Sequence, residues 1–85
     1  MQYYYTAKFK KQYKKLPRQI KELLDKQLGF LLHNPQHPSL NMKKMNDPRE
    51  IWEARLTDSY RFTFQIQTDF YIFRTIGTHD ILRKP

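Results

Sequence analysis

Trp52, Ala54 and Leu56 alternate with Glu53, Arg55 and Thr57, and Tyr60, Phe62, Phe64 and Ile66 alternate with Arg61, Thr63, Gln65 and Gln67. A period of two marks a strand with one buried face and one polar face. Asp58-Ser59 and Thr68-Asp69 punctuate the pattern with turns short enough to join antiparallel neighbours. A third strand runs from Phe70 through Gly77 to His79, but its parity is mixed. Phe70, Ile72 and Ile76 share one parity with Arg74, whereas Tyr71 and Phe73 share the other with Thr75 and His79. Large apolar residues on both parities predict a central strand, partly covered on each side, with room for a short further strand near Ile81.

The first half of the chain changes period. Gln2 to Tyr5 is a short aromatic strand, and Thr6 is placed to cap a helix with its hydroxyl. Phe9, Tyr13 and Leu16 then recur at helical spacing, Pro17 suits the first position of a new helix, and Ile20, Leu23, Leu24, Leu28 and Leu31 form the next apolar stripe. Gly29 weakens this second helix without ending it, and Asn34-Pro35 ends it, because a residue before proline avoids the helical region. Asn34 to Glu50 holds three prolines (Pro35, Pro38, Pro48) and reads as a loop. The predicted architecture is a single α+β domain over residues 1–85. It has two layers in the order β-α-α-β-β-β, a twisted antiparallel sheet with a helical hairpin packed on one face and the arginine-bearing face left open.

Charge changes the picture. Sixteen Lys and Arg oppose eight Asp and Glu, giving a net charge of +8 in 85 residues. Seven of the cations (Lys8, Lys10, Lys11, Lys14, Lys15, Arg18, Lys21) precede the first acidic residue, Glu22. Such a surface attracts polyanions. The absence of cysteine rules out a disulfide, a thiol nucleophile and a thiolate metal site, and suits a cytoplasmic setting. No apolar run approaches the roughly 20 residues of a membrane span. His33, His37 and His79 are scattered, with no metal-ligand spacing, and two glycines make no phosphate loop; no metal or other cofactor is expected.

What remains is a cationic set around one histidine: His79 with Lys43, Lys44, Arg55, Arg61 and Arg83, and Glu53 close by in sequence. Cleavage of RNA without a metal needs only such parts. A base takes the proton of the ribose 2′-OH, an acid protonates the departing 5′ oxygen, and cations hold the phosphate as charge grows on it. Imidazole titrates near neutrality, and the planar guanidinium fork matches a phosphate. Each residue alone also fits a plain structural role, since strand arginines and loop lysines commonly do no more than face solvent.

The ordered set resembles the RelE/ParE superfamily of bacterial toxins from type II toxin–antitoxin modules. The likeness runs through Phe9, Tyr13, Lys14, Lys15, Leu16 and Pro17 of the helix pair and the His37–Leu40 loop. It continues through Lys43 and Lys44, Trp52 and Arg55, and Ser59 to Arg61, and closes on Ile76 to Asp80. The resemblance implies a metal-independent, ribosome-dependent mRNA endoribonuclease leaving a 2′,3′-cyclic phosphate. Carried over by position, Arg55, Arg61 and Lys43 or Lys44 would hold the phosphate, and His79 would act as acid, or as base if a lysine donates the proton. Glu53 stands where some members have a basic residue. Lys8, Lys11, Lys15 and Arg18 would dock on ribosomal RNA, and Arg83 would stack on a base where cleaving members often carry an aromatic. The implied partners are a small acidic antitoxin, the ribosome and mRNA, with no membrane. Two other outcomes of the same resemblance are a gyrase inhibitor and a non-catalytic member that binds antitoxin or nucleic acid.

Overall fold

The computed structural model describes residues 2–85. Strand β1 (Gln2–Tyr5) leads into helices α1 (Ala7–Lys14) and α2 (Arg18–His33), a 3₁₀ turn at Pro38–Leu40, and strands β2 (Lys43–Lys44), β3 (Ile51–Arg55), β4 (Tyr60–Ile66) and β5 (Phe70–Thr78). A second 3₁₀ turn, His79–Arg83, stands where a further strand was expected near Ile81. The five strands make one sheet in the order β1-β5-β4-β3-β2. The last four are antiparallel neighbours, as the alternation and short turns require, and β2 lies inside the segment read as loop. The sheet is nevertheless mixed rather than wholly antiparallel, because β1 pairs with β5 in parallel. Strand β1 reaches the sheet through both helices and the long loop. A connection of that length can return at either edge in either direction, whereas a two-residue turn cannot.

The helices form where the sequence placed them, except that Pro17 is the extended N-cap of α2 rather than its first helical residue. Thr6 caps α1, its Oγ1 accepting from the Phe9 N–H at 3.1 Å, and α2 ends at His33, ahead of Asn34-Pro35. Phe9, Leu24, Leu28 and Leu31 descend from the hairpin onto Ala54, Phe62, Phe64, Tyr71, Phe73 and Ile76 of the sheet. Phe73 is the hub, with the ring centroids of Tyr3, Tyr5, Phe9, Phe62 and Phe64 between 5.2 and 6.1 Å away. Offset and edge-on aromatic contacts at these separations add to area burial. Within the apolar stripe of α2 sits one polar residue that the pattern passed over. Gln27, only 7% exposed, donates through Nε2 to Ser39 O and Arg55 O, both at 3.0 Å, and accepts from the Ser39 hydroxyl through Oε1. It fastens α2 to the loop and to the end of β3 while satisfying backbone carbonyls that burial would otherwise orphan.

The mixed parity of β5 has a specific cause. Thr63 pairs with Thr75 but Phe64 pairs with Phe73, so Arg74 is an extra residue on β5 without a partner on β4. This β-bulge switches the face assignment along the strand. Tyr71 and Phe73 point to the helices before it and Ile76 after it. Thr75 and Gly77 join Arg61 and Thr63 on the opposite face. The unpaired Arg74 carbonyl accepts instead from the Thr6 hydroxyl at 2.8 Å, and the Ile76 N–H donates to Gln12 Oε1 at 3.0 Å.

That opposite face is not fully open. The chain folds back through the His79–Arg83 turn and lays Ile81 against the sheet over Gly77. A Cβ on Gly77 would stand 2.9 Å from Ile81 Cγ2, closer than side-chain carbons pack. Thr63 and Thr75, joined through their hydroxyls, are wholly buried on this face, and Pro85 is buried as well. The polar face expected to be exposed is therefore divided by a strap of chain. Gly77→Ala is expected to destabilise the fold by about 1–3 kcal/mol through overpacking. Thermal unfolding measures the loss, and a displaced His79 resonance in the NMR spectrum reports movement of the strap.

Candidate functional site

On one side of the strap, Asn41, Lys43, Glu53, Ala54, Arg55, Arg61, His79 and Leu82 line a cleft of about 380 Å³. Its geometry follows from strand register. Arg55 lies directly opposite Arg61, and Glu53 lies opposite Lys43 on one neighbour and Thr63 on the other. All of these share the face away from the helices. Lys44 pairs with Trp52, on the helix-facing parity, and its Nζ meets Glu50 Oε2 at 2.9 Å. The structure thus separates two lysines that the sequence left equivalent: Lys43 enters the cleft and Lys44 does not.

Arg61 is the most constrained member. It is 9% exposed, and its Nη1 donates to the carbonyls of Thr57 and Tyr60. The other terminal nitrogen, Nη2, lies 3.2 Å from His79 Nε2. A guanidinium has only donors, so this contact makes Nε2 the acceptor and leaves the imidazole proton on Nδ1. Arg55 stands across from Arg61 with its nearest carboxylate, Asp58 Oδ1, at 3.9 Å. Two arginines directly opposite on adjacent strands repel one another, and an anion between them would relieve that repulsion. Glu53 sharpens the chemistry, because its Oε2 is buried and has no hydrogen-bond partner among the described residues. One cleft is therefore lined by a carboxylate side chain, a histidine and three cations.

The remaining expected residues lie elsewhere. Lys8, Lys11, Lys15 and Arg18 are exposed along α1 and the start of α2, where Arg18 meets Glu22 at 3.4 Å. Arg83 sits across the strap from His79, in a second cleft. His37 is a local fastener whose Nδ1 accepts from the Ser39 N–H, while its ring stacks on Phe30 at 3.9 Å. No three His, Asp or Glu side chains gather as a metal site among the described residues, and no helix is long and apolar enough to cross a membrane.

No protein-family model matches the chain, and no curated protein matches it by sequence. Solved structures do match. A YoeB/ParE toxin from Agrobacterium tumefaciens superposes with a TM-score of 0.80 at 13% identity, over 93% of this chain and 99% of that one. The YafQ toxin of Escherichia coli, in its complex with DinJ, gives 0.79 at 15% identity over 94% and 93%. A metal-bound toxin from Helicobacter pylori gives 0.80 at 20% identity over 96% and 98%. The α+β fold is that of RelE/YoeB/ParE toxins, so the resemblance read from the residues extends to the whole path of the chain. At these identities the likeness establishes the fold.

Beside the second cleft, Asp47 is gripped by Arg49, which donates from its side chain at 2.8 and 3.0 Å and from its backbone N–H at 2.8 Å. The guanidinium contact first, then the backbone N–H, hold the Asp47 carboxyl down at about 2. A depressed carboxylate stabilises the fold above its ordinary range and loses that contribution as pH falls through the folded value. The loop contact is therefore expected to be intact above about pH 4 and to fade towards pH 2. Carboxyl carbon NMR on Asp47 is the check, with a midpoint near 2 expected and an ordinary aspartate midpoint excluding the contact.

Proposed function

We propose that this protein is the toxin of a type II toxin–antitoxin pair and cleaves mRNA on the ribosome without a metal, in the cytoplasm. The observation that carries the reading is the convergence of Glu53, His79, Arg61, Arg55 and Lys43 on one cleft. A toxin role draws further support from the fold shared with YafQ and YoeB/ParE toxins.

A phosphodiester entering the cleft takes its place between Arg55 and Arg61, whose cross-strand repulsion it relieves. Arg61 then donates to the phosphate rather than to His79 Nε2, freeing that nitrogen to take up a proton from solvent, which it later gives to the leaving oxygen. Glu53, whose carboxylate lines the cleft, takes the proton of the 2′-OH. The 2′ oxygen forms its bond to phosphorus, the bond from phosphorus to the 5′ oxygen breaks, and His79 protonates the departing oxygen. The products are a 2′,3′-cyclic phosphate and a 5′-hydroxyl. Lys43 and the two arginines stabilise charge on the pentacoordinate phosphorus. Lys44, held by Glu50 on the other face, takes no part. The exposed cations Lys8, Lys11, Lys15 and Arg18 dock on ribosomal RNA, an interaction that weakens steeply with salt. The partner is an antitoxin, as DinJ is to YafQ. A segment of it with apolar side chains suits the groove of Tyr5, Phe9, Tyr13, Leu24 and Leu28, whose rim carries Lys10 and Lys14 against the single acid Asp25.

The test is primer extension on a reporter mRNA in a purified translation reaction, with and without ribosomes. The wild-type chain is expected to cut at A-site codons only when ribosomes are present. His79→Gln and Glu53→Gln are each expected to slow cleavage about 10²–10⁴-fold, the usual worth of a positioned acid or base. Arg61→Ala is expected to slow it about 10²–10³-fold, as loss of a preorganised donor does. Circular dichroism controls for folding, and Lys44→Gln should cut normally. Intact mRNA alongside a DNA-damage response would move the function to gyrase inhibition on the same fold. Intact mRNA and harmless overexpression would leave a binding protein.

A further inference from the structure

Across the strap from His79, the same sheet face carries a second basic cleft of about 450 Å³, and it is the more strongly charged of the two. Lys8 of α1, Arg49 of the loop, Arg74 of the β5 bulge and Arg83 and Lys84 at and beyond the end of the 3₁₀ turn all line it. Beside it, Asp47 is bound to Arg49. Arg83 and Lys84 form no ion pair among the described residues. Five cations from four separate segments converge, and their placement is fixed by polar contacts. Gln65 receives Arg74 Nη1 at 3.1 Å and donates to Arg49 O at 2.9 Å, Arg74 Nε donates to Pro85 O at 3.0 Å, and Lys8 Nζ reaches Lys84 O at 3.3 Å. Concentrating this much like charge in one concavity costs folding energy, which a bound polyanion would offset.

The cleft continues into an apolar platform. Tyr4, half exposed, packs edge-on against Phe70 at 4.9 Å, with Ile72 beside them, and Thr6 borders both surfaces. Cations that follow a sugar–phosphate backbone, next to an exposed aromatic ring that can take a base, are the pairing that single-stranded nucleic acid selects. An acidic peptide would use the cations but needs no ring.

We infer that the second cleft holds the backbone of the same single-stranded RNA on one flank of the cleaved bond. The strand would run over the strap between Leu82 and Arg83, along Arg49, Arg74 and Lys84, to a base stacked on Tyr4. The continuity of strand rests on the reading of the first cleft as the reaction site, but the occupancy of the second cleft is measurable without it.

The experiment is fluorescence anisotropy with a labelled ten-nucleotide 2′-O-methyl oligouridylate, which lacks the attacking hydroxyl and reports binding whether or not the protein cleaves. Arg83→Gln with Lys84→Gln is expected to weaken binding about tenfold and to lower the slope of log affinity against log salt by about 1.4, roughly 0.7 for each phosphate no longer neutralised. Tyr4→Ala is expected to weaken it about tenfold with the salt slope unchanged. Lys26→Gln with Lys44→Gln, which removes the same charge outside both clefts, should change affinity less than twofold. Equal losses from the two charge-removing pairs would reduce the effect to diffuse attraction and overturn the assignment. So would undiminished binding by the Arg83/Lys84 variant, or RNA binding retained while binding of labelled poly-glutamate is lost, which would give the cleft to an acidic protein segment. A protein inactive in translation but with these affinity changes would lose the nuclease reading and keep the RNA-binding cleft.

Discussion

One residue too many on β5 decides where the functional groups stand. Because Arg74 has no partner on β4, Phe73 and Ile76 can both face the helices although three positions separate them. In a strand without the bulge, fixing Phe73 in the core would send Ile76 to the polar face and bring Thr75 and Gly77 inside. A one-residue shift moves every later side chain to the other face. Gly77 would then no longer lie opposite Arg61 beneath the returning chain, and the close approach of Ile81 would have nowhere to form. The bulge therefore sets the path of the strap, and the strap sets the 3.2 Å contact of His79 with Arg61. The cost of the unpaired peptide is met locally by Thr6, whose hydroxyl caps α1 with its oxygen and serves the Arg74 carbonyl with its proton. A single side chain thereby couples the start of the helical hairpin to the irregularity in the central strand.

How much of this was legible in the sequence follows from which features are periodic. The strands β3 and β4, both helices, the Thr6 cap and the arginine-bearing face all follow from local spacing. So does the co-presentation of Arg55 and Arg61, because odd positions on paired strands share a face. The bulge was visible only as mixed parity, with Phe73 and Ile76 on opposite counts, and reading that as two-sided cover missed the inserted residue. Gln27 carried a clear signal, a polar residue within the Leu24–Leu28–Leu31 stripe, and was passed over because polar side chains are counted as outside by default. The parallel pairing of β1 with β5 depends on a long connection whose return edge no local pattern specifies. Lys43 and Lys44 differ only by one position in register with β3, which becomes defined once Lys43 meets Glu53.

The two clefts are products of the same division but differ in kind. The first balances its cations with Glu53 and places a histidine among them, so it offers proton acceptors and donors beside a place for an anion. The second is lined by no histidine, and the carboxylate beside it, Asp47, is taken up by Arg49. Chemistry needs charges of both signs held in reach of one atom, whereas holding a polyanion needs only positive charge spread along its length. The strap, packed on Gly77 with Ile81 beneath it, keeps the two populations apart while leaving them on one continuous surface. Gly77 thus stands at the boundary between a cleft that holds a carboxylate and a histidine and one lined by five cations. Its lack of a side chain is what allows a single sheet to carry both.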